Sequence, residues 1–137
     1  TGNRFVTLAV GAVYPDGKLE LANAAHCPVV LLRAGGGEVT IEPGGPMLGI
    51  LPGANWQAEC CQLGPGDILV LVSDGITESF SPRGEEFGLE GVTRVARARA
   101  AESPETLGRA VLDAAAAHRA GREATDDVTL LVLRYRG

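Results

Sequence analysis

The segment Ile68-Leu69-Val70-Leu71-Val72-Ser73 is an unbroken apolar run set between two turn signals, Gly64-Pro65-Gly66-Asp67 and Asp74-Gly75. A strand with no polar face needs cover on both sides, so it belongs in the middle of a sheet that is itself an inner layer. The rest of the chain must supply neighbours and covering layers, and its patterns do. Residues 5–14 are β-branched and apolar and end at Pro15-Asp16-Gly17, and 18–23 alternate with period two, so the pair reads as a hairpin. Val29–Arg33 and Glu38–Glu42, joined by Gly35-Gly36-Gly37, read as a second hairpin. Trp56–Leu63 reads as a further strand and Val128–Leu133 as a last buried one. Between them the period changes: Leu89, Val92, Val95 and Ala96 have helical spacing, and a second helix runs from a Ser103 N-cap with Pro104 at its first position to about Arg119, where Gly121 stops it. The glycine- and proline-rich residues 43–53 are too apolar for a linker and read as a packed loop. The fold class is α+β, and 137 residues make one domain, residues 1–137.

Charge narrows the partners. Twelve Lys+Arg stand against 17 Asp+Glu, a net charge of −5, and the excess of acid lies before residue 82. An acidic chain is a poor ligand for nucleic acid, whose phosphates want a basic face. No apolar run is long enough for a membrane helix, and no signal-peptide pattern opens the chain, because Thr1-Gly2-Asn3-Arg4 leads directly into strand-like sequence. Cys27, Cys60 and Cys61 are odd in number with two adjacent, which suits free thiols in a reducing compartment better than a disulfide framework or a zinc site. A cytoplasmic protein is expected.

Two acidic positions stand out by placement. Asp74 directly follows the buried strand 68–73, and Asp126-Asp127 precede the strand 128–133. If these strands are antiparallel neighbours, the end of one lies beside the start of the other, and Asp74 and Asp126 converge although 51 residues lie between them. Carboxylates held together without a cation repel, and hard oxygen ligands suit Mg²⁺ or Mn²⁺. The same positions also suit an ordinary Asp-Gly turn and an ordinary strand cap, and spacing alone does not choose.

Taken in order, the segments Phe5-Val6-Thr7, Gly17-Lys18-Leu19, Ala22-Asn23-Ala24-Ala25-His26-Cys27-Pro28, Gly45-Pro46-Met47-Leu48-Gly49, Leu63-Gly64-Pro65-Gly66-Asp67, Ser73-Asp74-Gly75-Ile76-Thr77-Glu78, Phe87-Gly88 and Asp126-Asp127-Val128-Thr129 form a recognisable series. The chain resembles the C-terminal part of the bacterial stage II sporulation protein E type of metal-dependent (type 2C) serine/threonine phosphatase. Ala25 departs from the pattern, which usually has Gly before the His. The resemblance implies an antiparallel β-sandwich flanked by helices, in the αββα arrangement, with two Mg²⁺ or Mn²⁺ ions at one end. It makes Asp74 and Asp126 metal ligands acting through metal-bound water, with Gly75, Thr77 and Asp127 shaping the loops around them. The implied substrate is a phosphorylated regulatory protein, an anti-anti-sigma factor in partner-switching control of transcription. The family carries two further Asp motifs upstream of the Phe-Val-Thr strand, so the chain is expected to be the later portion of a phosphatase domain, inactive in isolation. The alternative is a non-catalytic interaction module that keeps the phosphatase fold.

Other residues take plainer expectations. His26 is read as a structural hydrogen-bonding residue, His118 as a solvated side chain favoured by a helix C-terminus, and Arg94, Arg97 and Arg99 as a solvated helix face.

Overall fold

The computed structural model describes residues 4–137; residues 1–3, including the chain start read above, lie outside the described residues. In chain order the elements are β1 (Leu8–Val13), β2 (Lys18–Ala24), β3 (Val29–Leu32), β4 (Glu38–Ile41), β5 (Ala58–Gln62), β6 (Ile68–Val72), α1 (Asp74–Thr77), α2 (Gly88–Ala98), α3 (Pro104–Arg119) and β7 (Leu130–Arg134). They form two antiparallel sheets, β1-β2-β5 and β4-β3-β6-β7. Both expected hairpins are present. The first closes where Asp16 accepts a hydrogen bond from the Lys18 amide at 3.0 Å, an Asx-type turn.

The apolar run is β6, and it sits between β3 and β7 as an inner strand. Because side chains alternate across a strand, β3 and β6 serve two cores. Val30, Leu32, Ile68, Val70 and Val72 face α2 and α3, where they meet Val92, Ala96, Leu107, Val111 and Ala115. Val29, Leu31 and Leu69 face the other sheet, against Leu19, Leu21, Ile41 and Leu63. The layers are therefore sheet, sheet and helices. The far face of β1-β2-β5 carries no helix among the described residues, and Leu8 and Val10 stand exposed there.

Three expectations need correction. The last strand starts at Leu130 and not Val128, and it is an edge strand with no fully buried residue, its Leu131 53% exposed. Asp74-Gly75, for which an ordinary turn was one of the two readings, is the start of a one-turn helix, α1; one turn is too short to show a period. His118 is half-buried rather than free in solvent: its Nε2 bonds the Glu85 carbonyl at 2.8 Å and its ring tilts against Phe87 at 5.5 Å between centroids. The α3 cap is as expected, with the Ser103 hydroxyl accepting from the Thr106 amide at 3.1 Å. Arg97 pairs with Glu38 and Arg99 with Glu102, both on the surface, where such pairs contribute little.

Candidate metal centre

The site is built at the point where β6 ends. Pairing with β7 runs to Val72 opposite Leu130 and then continues one residue further through Ser73. The Ser73 amide donates to the Thr129 carbonyl at 2.9 Å, while its hydroxyl accepts from the Thr129 amide at 2.9 Å and donates to the Asp127 carbonyl at 2.8 Å. One serine thus fastens the 127–129 segment to the strand end. Immediately beyond, Gly75 touches the same segment through its backbone: a Cβ built there would lie on the Asp127 carbonyl and 2.9 Å from the Asp126 carbonyl oxygen. Only glycine fits this contact. Ser79, buried, holds α1 from the other side, its hydroxyl donating to the Gly75 carbonyl at 3.2 Å and accepting from the Arg119 guanidinium at 2.8 Å.

The antiparallel pairing of strands 68–73 and 128–133 that the sequence reading required is therefore present, and the backbones that carry Asp74 and Asp126 are in contact. Asp74, Asp126 and Asp127 are exposed. The Asp126 carboxylate accepts one hydrogen bond, from the Asp127 amide at 2.7 Å. Asp74's carboxylate accepts none, and neither it nor Asp126 is ion-paired among the described residues. Thr77 is buried, its hydroxyl 3.4 Å from the Asp74 carbonyl. No group of three or more His, Cys, Asp or Glu is arranged as a metal cage among the described residues.

Facing Asp74 is the loop after β2. Asn23, 1% exposed, spends its whole side chain on that loop: Oδ1 accepts from the His26 amide at 2.8 Å, and Nδ2 donates to the Cys27 carbonyl at 3.1 Å. His26 Nδ1 donates to the same carbonyl at 3.2 Å, so the structural role expected for His26 has a partner. Thr7, Ala25, His26, Cys27, Ser73, Asp74 and Glu78 together line a cleft of about 320 Å³. Burial pushes the Cys27 thiol above its usual range, although the Thr77 hydroxyl 3.9 Å away works against this. Such a thiol is no nucleophile at neutral pH.

Ala25 has φ of 53°, the left-handed region in which Cβ crowds the backbone. Its departure from glycine is thus an energetic cost at one position. Ala25→Gly is expected to stabilise the chain by about 0.5–1 kcal/mol, the relief of strain exceeding the entropy that glycine adds to the unfolded chain. A urea titration reads the gain as a higher midpoint.

The sequence model of stage II sporulation protein E (SpoIIE) matches residues 1–136. The chain belongs to the SpoIIE family. Among curated proteins, this SpoIIE-family chain is 29% identical over 133 residues to Protein IcfG of Synechocystis, covering 96% of the chain and 21% of IcfG. Among solved structures it is similar to the Mn-presoaked phosphatase domain of SpoIIE from Bacillus subtilis, with a TM-score of 0.70, 19% identity, and coverage of 95% of this chain and 56% of that one. It is also similar to the RsbU and RsbW domains of Rv1364c from Mycobacterium tuberculosis, with a TM-score of 0.73, 24% identity, and coverage of 95% and 36%. The chain therefore spans about a fifth of its curated relative and part of each solved one. Those likenesses establish the fold, and the architecture expected from the sequence is that of the phosphatase domains.

The donors on these two segments are carboxylate oxygens. Mg²⁺ and Mn²⁺ take hard oxygens, and Mg²⁺ sites often draw only one or two carboxylates from the protein and fill the rest with water and phosphate. Exposed Asp74, without a hydrogen-bond donor of its own among the described residues, and exposed Asp126, on the segment that Gly75 touches, are oxygen donors of that kind. Sequence reasoning missed Asn23 as the organiser of the opposite wall. It also passed over Asp67, at the far end of β6, as a turn residue, whereas its carboxylate is 5% exposed and tied to Arg33 at 2.7 Å, to the Ala34 amide at 2.9 Å and to the Gly64 amide at 3.0 Å. An Asp at the start of a fully apolar strand was the available signal.

Proposed function

We propose that this chain is the later, metal-binding portion of a cytoplasmic phosphoprotein phosphatase domain that hydrolyses phosphoserine or phosphothreonine on a small regulatory protein of the anti-anti-sigma type. The observation that carries the reading is the contact between the Asp74-Gly75 and Asp126-Asp127 backbones in a member of the SpoIIE family. Asp74 and Asp126 are the metal ligands; Gly75 permits the close approach, and Thr77 and Asp127 fix the loops that present the carboxylates. Bound divalent cations supply charge neutralisation for the phosphoryl oxygens and an activated water for in-line attack. The chain's own part is to hold the carboxylates, through the Ser73 fastening and the Ser79 brace, in a site open enough for a phosphoprotein side chain. The half-buried Cys27 takes no part as a nucleophile. A solved relative that carries an RsbW domain beside its RsbU domain supports a partner-switching setting.

Two carboxylates hold metal weakly, so residues 1–137 alone are expected to bind Mn²⁺ weakly and to release no phosphate. In Mn²⁺ titrations followed by electron paramagnetic resonance, Asp74→Asn should lower affinity by about tenfold or more, the scale on which loss of ligand-shell interactions acts. Mn²⁺-dependent phosphate release from a phosphoserine protein, measured in the natural polypeptide containing these residues, tests the activity. Full release by Asp74→Asn overturns the ligand assignment. Binding of the phosphoprotein without hydrolysis would mark an interaction module instead.

A further inference from the structure

The cleft beside Asp74 contains one imidazole, and the metal-ligand assignment leaves it unused. His26 is fixed at two points, its amide on Asn23 Oδ1 and its Nδ1 on the Cys27 carbonyl, and its Nε2 has no hydrogen-bond partner among the described residues. A carbonyl can only accept, so Nδ1 carries a hydrogen and the neutral ring is the Nδ1–H tautomer, with Nε2 bare. His26 and Asp74 line the same cleft. The other histidine in the chain, His118, has its Nε2 committed to the Glu85 carbonyl and its ring against Phe87. Cys27, on the same wall, is a thiol that burial makes a poorer acid. Imidazole is the side chain that both carries and releases a proton near neutrality, and of the groups on this cleft His26 alone supplies one.

Resting on the phosphatase reading above, we propose that His26 is a catalytic residue, the proton donor to the leaving seryl or threonyl oxygen, and that Asn23 is its positioning residue. The step balances. A water oxygen forms the new bond to phosphorus and its proton passes to solvent. The bond from phosphorus to the seryl oxygen breaks, and its electron pair stays on that oxygen. The imidazolium, protonated on both nitrogens, gives its Nε2 proton to that oxygen and returns to the Nδ1–H form that the Cys27 carbonyl holds. Solvent then restores the Nε2 proton. Asn23, 1% exposed, acts through the 24–27 loop, which it holds against the cleft by the two hydrogen bonds at 2.8 and 3.1 Å.

Two measurements test this. The first needs no metal and no turnover: long-range ¹H–¹⁵N spectra of residues 1–137 at alkaline pH, where imidazole is neutral, should show His26 protonated at Nδ1. An Nε2–H ring overturns the proposal. The second compares leaving groups in the natural polypeptide containing these residues, loaded with Mn²⁺. A seryl oxygen needs a proton to leave, whereas nitrophenolate does not. His26→Gln should lower kcat on a phosphoserine peptide by about 100-fold or more while changing kcat on p-nitrophenyl phosphate by less than about threefold. Equal loss on both substrates would show a merely structural residue, and no loss on either would show an idle one; both overturn the proposal. If the unaltered protein hydrolyses neither substrate, the phosphatase reading itself fails and the proton-donor role with it, a result distinct from selective loss in the variant.

Discussion

Gly75→Ala is expected to destabilise the protein by about 2–4 kcal/mol and to weaken Mn²⁺ binding along with it. At an open helical position the same change would stabilise by up to about 1 kcal/mol, because alanine is the better helix former. Here the new Cβ meets main chain, the carbonyl group of Asp127 and the carbonyl oxygen of Asp126 at 2.9 Å, and main chain cannot swing aside as a flexible side chain can. That segment is held in turn by the Ser73 hydroxyl, so relief requires breaking the fastening at Asp127 and Thr129. Steric cost therefore outweighs helix propensity. Urea denaturation gives the stability change, and the Mn²⁺ titration shows whether the two carboxylates have moved apart. A neutral or stabilising result would mean that the two segments separate freely.

Asp67→Asn should cost about 3 kcal/mol, at the other end of the same strand. Asparagine keeps the shape but removes the charge facing Arg33 and turns a donor toward groups that are all donors: the Arg33 guanidinium and the amides of Ala34 and Gly64. Arg33 is partly solvent-exposed, which lets water recover part of the loss and keeps the cost below that of a fully buried pair. The pH dependence has a definite sign. Burial pushes the Asp67 carboxyl up, but the Gly64 and Ala34 amides and Arg33 outweigh it and hold the group below its usual range. Its folded-state affinity for a proton is thus lower than in the unfolded chain. The contribution is present above the unfolded value, near pH 4, and is lost as pH falls through the folded one. Acid titration of folding should show this loss in the unaltered protein and a shallower slope in Asp67→Asn.

The sequence was most legible where the period was long and the punctuation strong. The run Ile68–Val72 announced an inner strand, Pro15-Asp16-Gly17 and Gly35-Gly36-Gly37 announced hairpins, and Ser103-Pro104 announced a helix start, because each follows from local sterics or from burial of both faces. The antiparallel neighbourhood of β6 and β7, which brings Gly75 against the Asp126-Asp127 backbone, was also legible, since it needed only two recognised strands. What remained hidden depended on long-range pairing. Nothing local to Asp67 names Arg33 as its partner, and nothing local to His118 says that the Glu85 carbonyl and Phe87 await it. The edge character of β7 was hidden for the same reason: Val128–Leu133 reads as buried by composition, yet it has a neighbour on one side only among the described residues.

The shared walls of the two cores have a consequence for dissecting the chain. β3 and β6 each give alternate residues to the helical side and to the inter-sheet side, so neither core owns its own floor. Cutting away α2 and α3 would bare Val30, Val70 and Val72 to water, and cutting away β1, β2 and β5 would do the same to Val29, Leu31 and Leu69. No internal boundary yields a fragment with a finished hydrophobic interior. The smallest autonomous unit must therefore contain both sheets and the helical pair, and the early loop bearing His26 and the late turn bearing Asp126 are retained or lost together.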